Sequence, residues 1–396
     1  MPQPAIGHPV CLSRPNARRG APPLALASLL ALLLAWLPAR ADQFSFPGKL
    51  PASCSANSSG TYLCSGLTLA PGDTISIGVA TTTITVNGAL WAGRLSRINP
   101  GAGPTRLSLV VIGTTTLGDN AILHANLSGG GAITTGANSV VVGNLTAIAG
   151  VINIGAHGTV VGALKTDSAA INTGEFSSIT GAITSTIAGV VTIGADSNVV
   201  GNITTASGAI NIGARSVIDG SMTSLVAGAI TVGANAKVTG SVATTYRGSD
   251  VGAGAITLED HVEVKGAVAT HTGAITSGTR SQISGSVSAN DGAITVGDDA
   301  TVGGAVCTGN SGAITVGDRT DVGGNIETAL AGAITVGNLS RIAGAVTVRG
   351  AGARTVATDA RTGSMIGSTC GAAAARTAPQ APFKIKARQW RQLFMR

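Results

Sequence analysis

Residues 228–244 read GAITVGANAKVTGSVAT, and versions of this stretch recur along more than half of the chain. With the first glycine taken as position one, the twelve copies begin at Gly113, Gly131, Gly150, Ala169, Gly189, Gly208, Gly228, Gly254, Gly273, Gly292, Gly312 and Gly332. Successive copies start 19 or 20 residues apart, except for 18 after the first copy and 26 after the seventh. A period of this length indicates a solenoid, in which each unit buries its apolar side against its neighbours.

Three positions of the repeat are apolar. Position three is isoleucine in most copies, and positions eleven and fifteen are apolar in all twelve. Position eleven is occupied by Leu123, Val141, Val160, Ile179, Val199, Ile218, Val238, Val264, Ile283, Val302, Val322 and Ile342. Thr or Asn at position four, between apolar positions three and five, gives the period-two alternation of a strand and not the period of a helix.

Glycine recurs at two further positions, thirteen in eleven of the twelve copies and six in most of them. A corner that recurs once per coil needs backbone angles that a Cβ opposes, so this pattern predicts glycine corners. Three short strands joined by such corners make one turn of a parallel β-helix. We therefore predict an all-β fold, a single-stranded parallel β-helix of about twelve coils over residues 113–349.

Residues 1–41 have the pattern of an export signal. Arg14, Arg18 and Arg19 precede an apolar run over residues 24–37, and residues 39–41 (ARA) match a small-x-small cleavage site. The run is shorter than the ~20 apolar residues that a membrane span needs. We expect cleavage after Ala41 and a mature chain without a transmembrane span, located in the periplasm, on the outer surface or outside the cell.

The formal charge of +7 is concentrated at the two ends of the chain. Four of the 25 basic residues lie in the predicted signal and six in the C-terminal tail, which leaves 15 basic against 18 acidic residues between them. The part of the chain between the signal and the tail is therefore weakly charged and lacks the basic surface that nucleic-acid binding requires. We expect no nucleic-acid partner.

Caps are predicted on both sides of the repeats, at residues 42–112 and 350–370. Cys54 and Cys64 bracket a short polar turn in the first cap, and in an exported protein such a pair predicts a disulfide. Cys370 lies about three coil steps, or roughly 14 Å, beyond Cys307. We expect Cys307 to be either free or paired with a C-terminal segment that folds back.

Two irregular segments are candidate contact sites. An insertion of about six residues, containing Tyr246, Arg247 and Asp250, should emerge at a corner of the solenoid. Residues 371–396 form a linker and a basic tail, which as a helix would separate apolar from basic side chains. The tail residues expected to contact a membrane surface or a cell-envelope partner are Phe383, Lys384, Arg388, Trp390, Arg391 and Phe394.

Residues 230–242 (ITVGANAKVTGSV) and 210–222 (INIGARSVIDGSM) resemble the repeats of bactofilins, the polymer-forming bacterial β-helix proteins. This resemblance covers about residues 113–349 and implies a right-handed β-helix that associates end to end without nucleotide. Bactofilins are cytoplasmic, whereas this chain has an export signal. The combination of signal, Cys-bracketed cap and Gly-rich coils is more loosely similar to exported Gram-negative surface proteins, including the N-terminal parts of MSHA-pilus biogenesis proteins.

The residue pattern predicts an exported structural or surface-associated scaffold that is monomeric or weakly self-associating through its ends, with no catalytic, cofactor or metal residues. One alternative is a solenoid that binds glycan or ice through the Thr/Asn column at position four. Another is a left-handed hexapeptide-repeat enzyme, but that fold has eighteen residues per turn, not the usual 19 or 20 of this repeat. Such an enzyme also needs a histidine at a coil edge, and the histidines fall at different positions in their coils: His124, His157, His261 and His271.

Overall fold

The computed structural model describes residues 41–78, 81–245 and 254–365, and within these ranges the chain is a parallel β-solenoid. Each coil contributes one short strand to each of three sheets, so successive strands of a sheet come from successive coils. Helix is limited, in the described ranges, to a 3-10 turn at Pro104–Arg106. The predicted fold class is confirmed.

The strands of each sheet stack in the order of the chain. Sheet 1 contains Gln43–Phe46, Thr74–Ile77, Arg97–Ile98, Ile122–His124, Val140–Val142, Thr159–Val161, Ser178–Thr180, Asn198–Val200, Val217–Asp219, Lys237–Val238, Glu263–Val264, Gln282–Ile283, Thr301–Val302, Asp321–Val322, Arg341–Gly344 and Arg361–Met365. Sheet 2 contains Leu67–Leu69, Leu90–Ala92, Thr115–Leu117, Ile133–Thr135, Ile152–Ile154, Ile171–Thr173, Val191–Ile193, Ile210–Ile212, Ile230–Val232, Ile256–Leu258, Ile275–Ser277, Ile294–Val296, Ile314–Val316, Ile334–Val336 and Arg354–Val356. Sheet 3 contains Cys54–Ser58, Thr61–Cys64, Thr82–Val86, Leu107–Val111, Asn126–Gly129, Leu145–Ala147, Leu164–Thr166, Ile183–Ser185, Ile203–Thr205, Met222–Ser224, Val242–Thr244, Val268–Thr270, Val287–Ala289, Val306–Thr308, Ile326–Thr328 and Val346–Val348.

The fifteen described strands of sheet 2 give about fifteen coils, so the predicted number of twelve is too low. The strands Leu67–Leu69 and Leu90–Ala92 come before the twelve repeats, and Arg354–Val356 comes after them. All three pair in parallel with a neighbouring coil and thereby continue the solenoid. The sequence pattern missed them because the early coils are longer than the repeat and the last has Arg354 in place of the isoleucine.

The core consists of side chains stacked in columns. Neighbouring residues of a column lie on adjacent strands of the same sheet and are paired directly. Val199 pairs with Ile218 in sheet 1, and Ile230 pairs with Ile256 in sheet 2. All four side chains are completely buried, and burial of such a side chain is worth about 1.5–3 kcal/mol. The second pair spans the 26-residue step, so the insertion leaves the register of sheet 2 unchanged.

The repeated glycines are explained by close approach between coils. A Cβ on Gly285, at position thirteen, would lie 2.6 Å from the carbonyl oxygen of Gly266 in the preceding coil. One on Gly297, at position six, would lie 2.7 Å from the carbonyl oxygen of Gly278. Neither Gly285 nor Gly297 has a positive φ, so the explanation from backbone angles does not apply to these two. It does apply to four other glycines at position thirteen, which have φ between 133° and 158°: Gly143, Gly162, Gly181 and Gly201.

The left-handed corner lies at position eight, and no copy has glycine there. The residues at this corner have φ between 54° and 60°, and they are Asn120, Asn138, His157, Phe176, Asp196, Arg215, Asn235, His261, Arg280, Asp299, Arg319 and Leu339. In this conformation the backbone N–H of a position-eight residue points toward the following coil. The Arg215 N–H, for example, donates to the Ala234 carbonyl of the following coil at 2.9 Å. The corner is thus maintained by bonding between coils, against the steric cost of a left-handed residue.

Polar side chains complete the bonding at a second corner. The Oδ1 atom of Asn126, at position fourteen, accepts the Asn144 N–H at 3.0 Å, and Asn144 in turn accepts the Ala163 N–H at 2.9 Å. Ser221 accepts the Ser241 N–H in the same way at 3.2 Å. The side chain of one coil therefore satisfies a backbone donor of the next, which would otherwise lack a partner.

Leu339 tests the cost of the left-handed corner. We expect Leu339→Asn to raise the free energy of unfolding by about 0.5–1 kcal/mol, because asparagine tolerates this conformation better than leucine does. The control is Leu330→Asn, since Leu330 is equally exposed, at 63%, and does not have a positive φ. Urea unfolding of both variants measures the difference, and equal effects of the two substitutions would contradict the strain at position eight.

Candidate functional site

The Cys54–Cys64 disulfide predicted from the sequence is present in the structure. It joins directly opposed residues of an antiparallel hairpin formed by Cys54–Ser58 and Thr61–Cys64. The second hairpin strand also pairs in parallel with Thr82–Val86, so the hairpin closes the first coil of sheet 3. The buried ring of Tyr62, in the second hairpin strand, meets the buried ring of Phe46 edge to face, with the centroids 4.8 Å apart. The hairpin therefore ends sheet 3, with the antiparallel strand Cys54–Ser58 at its edge.

Cys307 is also disulfide-bonded, which excludes the first of our two alternatives, a free thiol. Cys307 lies in the middle of Val306–Thr308 and is 9% exposed. The alternative that we predicted is a fold-back pair with Cys370, which lies outside the described residues.

The two predicted contact segments also lie outside the described residues. They are the insertion with Tyr246, Arg247 and Asp250, and the tail with Phe383, Lys384, Arg388, Trp390, Arg391 and Phe394. Both remain predictions. In the described ranges, no helix is long and apolar enough to cross a membrane.

The histidines of the described coils occupy separate places. The Nδ1 atom of His124, on the outer side of sheet 1, is 3.1 Å from the Ala102 carbonyl oxygen. His157 and His261 both lie at position eight, so the prediction that all the histidines differ in position is wrong. Four coils separate the two residues. His157 stacks on Phe176 of the adjacent coil, with the ring centroids 4.9 Å apart. None of these contacts pairs a histidine with a nucleophile.

Acidic side chains near the left-handed corner bond to the backbone of the adjacent coil. Asp298 accepts the Asp318 N–H at 2.8 Å, and Asp318 accepts the Asn338 N–H at 2.7 Å. Glu259, which replaces the usual glycine, accepts the Ala234 N–H at 2.9 Å. Among the described residues, no group of three or more His, Cys, Asp or Glu side chains is placed to hold a metal ion. These carboxylates thus support the solenoid corner.

Two arginine–aspartate pairs join consecutive coils at the left-handed corner. Arg215 binds Asp196 through two nitrogens at 2.7 and 2.6 Å, and Arg319 binds Asp299 likewise at 2.6 and 2.7 Å. These hydrogen bonds lower the pKa of Asp196 and of Asp299 and raise the pKa of both arginines. The pKa of Asp260 is also lowered, in its case mainly by a hydrogen bond from the Thr279 backbone.

Open depressions occur at both ends of the described solenoid. One, beside the hairpin, is lined by Phe44, Pro51, Ala52, Ser53, Ser65, Gly66 and Thr68 and has no titratable side chain. The other, beside the last coils, is lined by Leu339, Ser340, Arg341, Asp359 and Arg361. Neither depression brings together a nucleophile and a histidine. The regular surfaces of the rod lie along its sheets instead.

The Thr/Asn column noted in the sequence lies on the outer side of sheet 2. Eleven consecutive strands, from Ile133–Thr135 to Ile334–Val336, place it in direct register, as in the pairs Thr231↔Thr257 and Thr276↔Thr295. Position two, two residues earlier, faces the same way by strand alternation and is Ala in most coils, with Val in two. We call positions two and four of these eleven strands the sheet-2 face. It extends over eleven of the fifteen described strands of sheet 2.

Comparison with protein-family models, with curated proteins and with solved structures finds no match to this chain. The bactofilin-like pattern of the repeat is therefore a resemblance of residues alone.

The arginine–aspartate pairs predict how stability depends on pH. The folded pKa of Asp196 and Asp299 is lowered, so their contribution is complete above the ordinary aspartate pKa of about 4 and is lost as the pH falls through the folded value. We expect the double substitution Arg215→Gln and Arg319→Gln to weaken this acid dependence.

Urea unfolding midpoints at pH 7 and pH 3 measure the effect. The control is Arg97→Gln, which removes an exposed arginine that has no described ion pair. If the unfolding midpoint falls as much between pH 7 and pH 3 in the double variant as in the wild type, the pairs do not contribute to the acid dependence.

Proposed function

We propose that this chain is an exported structural β-solenoid, a stiff rod that serves as a scaffold in or beyond the cell envelope and performs no catalysis. The observation that carries the proposal is the continuous bonding of about fifteen coils through three parallel sheets. Corner side chains such as Asn144 and Asp318 add bonds from coil to coil. A sequence in which so many residues serve the regular stacking is suited to a mechanical or spacing role.

Export is supported by two independent features of the chain. Residues 1–41 have the pattern of a signal peptide. The Cys54–Cys64 disulfide belongs to a partly exposed hairpin, and such bonds persist in oxidising compartments such as the periplasm or the cell exterior. The looser similarity to exported Gram-negative surface proteins agrees with this location.

Self-association through the rod ends is the part of the proposal that derives from the bactofilin resemblance. A terminal parallel strand has backbone groups that invite another strand, unless something covers them. At the N-terminal end the hairpin places an antiparallel strand, Cys54–Ser58, at the edge of sheet 3, which interrupts the parallel stacking that a second rod would continue. We therefore propose that end-to-end contact is weak in the intact mature protein and that the basic tail contacts a cell-envelope partner.

The proposal is tested by expressing the full chain in a Gram-negative host, beside a matched chain that lacks residues 2–41. We expect the full chain to be recovered outside the cytoplasm, to begin at Asp42 and to contain an oxidised Cys54–Cys64 pair in mass mapping. The truncated chain should stay in the cytoplasm. Recovery of the full chain in the cytoplasm with both cysteines reduced would contradict export.

Electron microscopy of the recovered protein tests the scaffold. Fourteen steps between fifteen coils, at about 4.8 Å each, predict a rod body of roughly 67 Å. We expect discrete rods, and removal of the hairpin by deletion of residues 42–66 should lengthen them into filaments. Filaments of equal length with and without the hairpin would contradict its role as a cover, and compact particles would contradict the rod.

A further inference from the structure

Asp73 is the one acidic side chain that the described coils bury without a described basic partner. It is 4% exposed, as is Glu327, but Glu327 forms an ion pair with Arg349. None of the ion pairs among the described residues includes Asp73. A buried carboxylate without an opposite charge is costly, so its place in the fold requires an explanation.

The Asp73 carboxylate accepts two backbone N–H groups at the first corner of the solenoid. Its Oδ2 atom accepts the Ala70 N–H at 2.8 Å, within the turn that leads into strand Thr74–Ile77. Its Oδ1 atom accepts the N–H of Asp42 at 2.7 Å. The carbonyl oxygen of Asp42 in turn accepts the Thr74 N–H at 2.9 Å. The main chain of Asp42 is therefore held on both sides, with its nitrogen at the carboxylate.

The equivalent residue of later coils, at position nine of the repeat, is uncharged in all twelve copies. These residues are Ala121, Ser139, Gly158, Ser177, Ser197, Ser216, Ala236, Val262, Ser281, Ala300, Thr320 and Ser340. In three coils the position-nine hydroxyl accepts the N–H of position nine in the preceding coil, as Ser197 Oγ accepts the Ser177 N–H at 3.1 Å. A hydroxyl group thus suffices for a backbone amide at this place. Asp73 has a carboxylate there, and its donor is Asp42.

Removal of the export signal changes the chemistry of that donor. Hydrolysis of the Ala41–Asp42 peptide bond by a signal peptidase consumes one water and leaves a carboxylate on Ala41 and an α-ammonium group on Asp42. Near neutral pH an α-amino group is largely protonated, so the nitrogen that faces Asp73 gains a positive charge. The Lys49 ammonium group, 2.7 Å from the Asp42 side chain, pairs with that carboxylate and is not bonded to Asp73.

We propose that Asp73 is the binding site for the α-ammonium group of the mature chain, so that removal of the signal completes the first corner of the rod. The inference deepens the proposed export and rests on it, because a chain that keeps residues 1–41 has only an amide at Asp42. An ammonium group at this nitrogen compensates the buried charge. It also forms a charge-assisted hydrogen bond, which is roughly twice as strong as a neutral one.

The ion pair stabilises the first strand of sheet 1. Gln43–Phe46 directly follows Asp42 and pairs in parallel with Thr74–Ile77, which directly follows Asp73. At the far end of the first strand, the Phe46 ring packs against the hairpin. The ion pair secures the near end. We expect this strand to open more often in a chain that keeps an amide at Asp42.

The test is a double-mutant cycle on the first residue of the chain and the charge of residue 73. Chain 42–396 and the same chain preceded by Gly-Ser-Gly are prepared by removal of an N-terminal tag, which requires no export. The extension moves the ammonium group roughly 10 Å along the chain. Each chain is made with Asp73 and with Asp73→Asn, since asparagine keeps the oxygen acceptor and removes the charge. Hydrogen exchange of Gln43–Phe46, followed by mass spectrometry, measures the opening of the strand.

We expect the extension to accelerate exchange in Gln43–Phe46 about 10-fold with Asp73 and less than about 2-fold with Asp73→Asn. The matched control is Asp119→Asn, because Asp119 also accepts a backbone N–H, that of Ala137 at 2.9 Å, away from the chain start. It should leave the effect of the extension unchanged. An equal effect of the extension with and without the Asp73 charge overturns the proposal, and so does an extension without effect.

The first residue of the exported protein separates this inference from the proposed function. An exported chain that begins at a residue other than Asp42 overturns the ammonium site and leaves the scaffold standing. An exported chain that begins at Asp42 and shows no coupling to Asp73 does the same. Retention of the full chain in the cytoplasm refutes export, whereas coupling in the purified chains would still assign the ammonium group to Asp73.

Discussion

The structure depends on one constraint, the fixed spacing of about 4.8 Å at which the backbone of each coil hydrogen-bonds to the next. At this spacing a corner leaves no room for ordinary side chains on the side that faces the adjacent coil. A Cβ at Gly285 or Gly297 would press on the carbonyl group of the preceding coil. The composition of the chain, rich in glycine and poor in aromatic residues, follows from repeating this close contact in every coil.

The same constraint assigns roles to the polar residues. Backbone donors at the corners have no strand partner, and side chains of the adjacent coil accept them, as Asn126 does for Asn144 and Asp318 does for Asn338. Acidic residues that would suggest metal binding or catalysis in another context are used in this way. Asn and Ser are the acceptors at position fourteen, and Asp is the acceptor at position seven in several coils, so the two corners use different residue types for the same purpose.

What distinguishes one part of this rod from another is the chemistry of its faces and ends. At one end, sheet 3 finishes in a disulfide-linked hairpin whose Tyr62 ring packs against Phe46. Sheets 1 and 3 carry charged side chains outward, whereas sheet 2 presents an uncharged array of small residues in strict register. The coils themselves are nearly equal, so differences along the solenoid lie in these faces and ends.

The sequence by itself determined the fold, because a residue's place in each coil is set by local spacing that recurs twelve times. It identified the inward columns, such as that of Val199, and the disulfide of Cys54 with Cys64. It also found the Thr/Asn column, but not its extent as a face or its neighbouring alanines. Position eight escaped notice, because twelve different coils place residues as unlike as Asn120, Phe176 and Leu339 in the same left-handed conformation.

Only the tertiary structure decided how far the solenoid extends and why its corners hold. The additional coils at Leu67–Leu69, Leu90–Ala92 and Arg354–Val356 differ in length or residue type from the repeat, and their membership follows from hydrogen bonding to a neighbour. The reason is physical. The alternation of apolar and polar side chains in a strand is visible in consecutive residues of the sequence. The fit between coils instead depends on backbone atoms about twenty residues apart, which come together only when the chain folds.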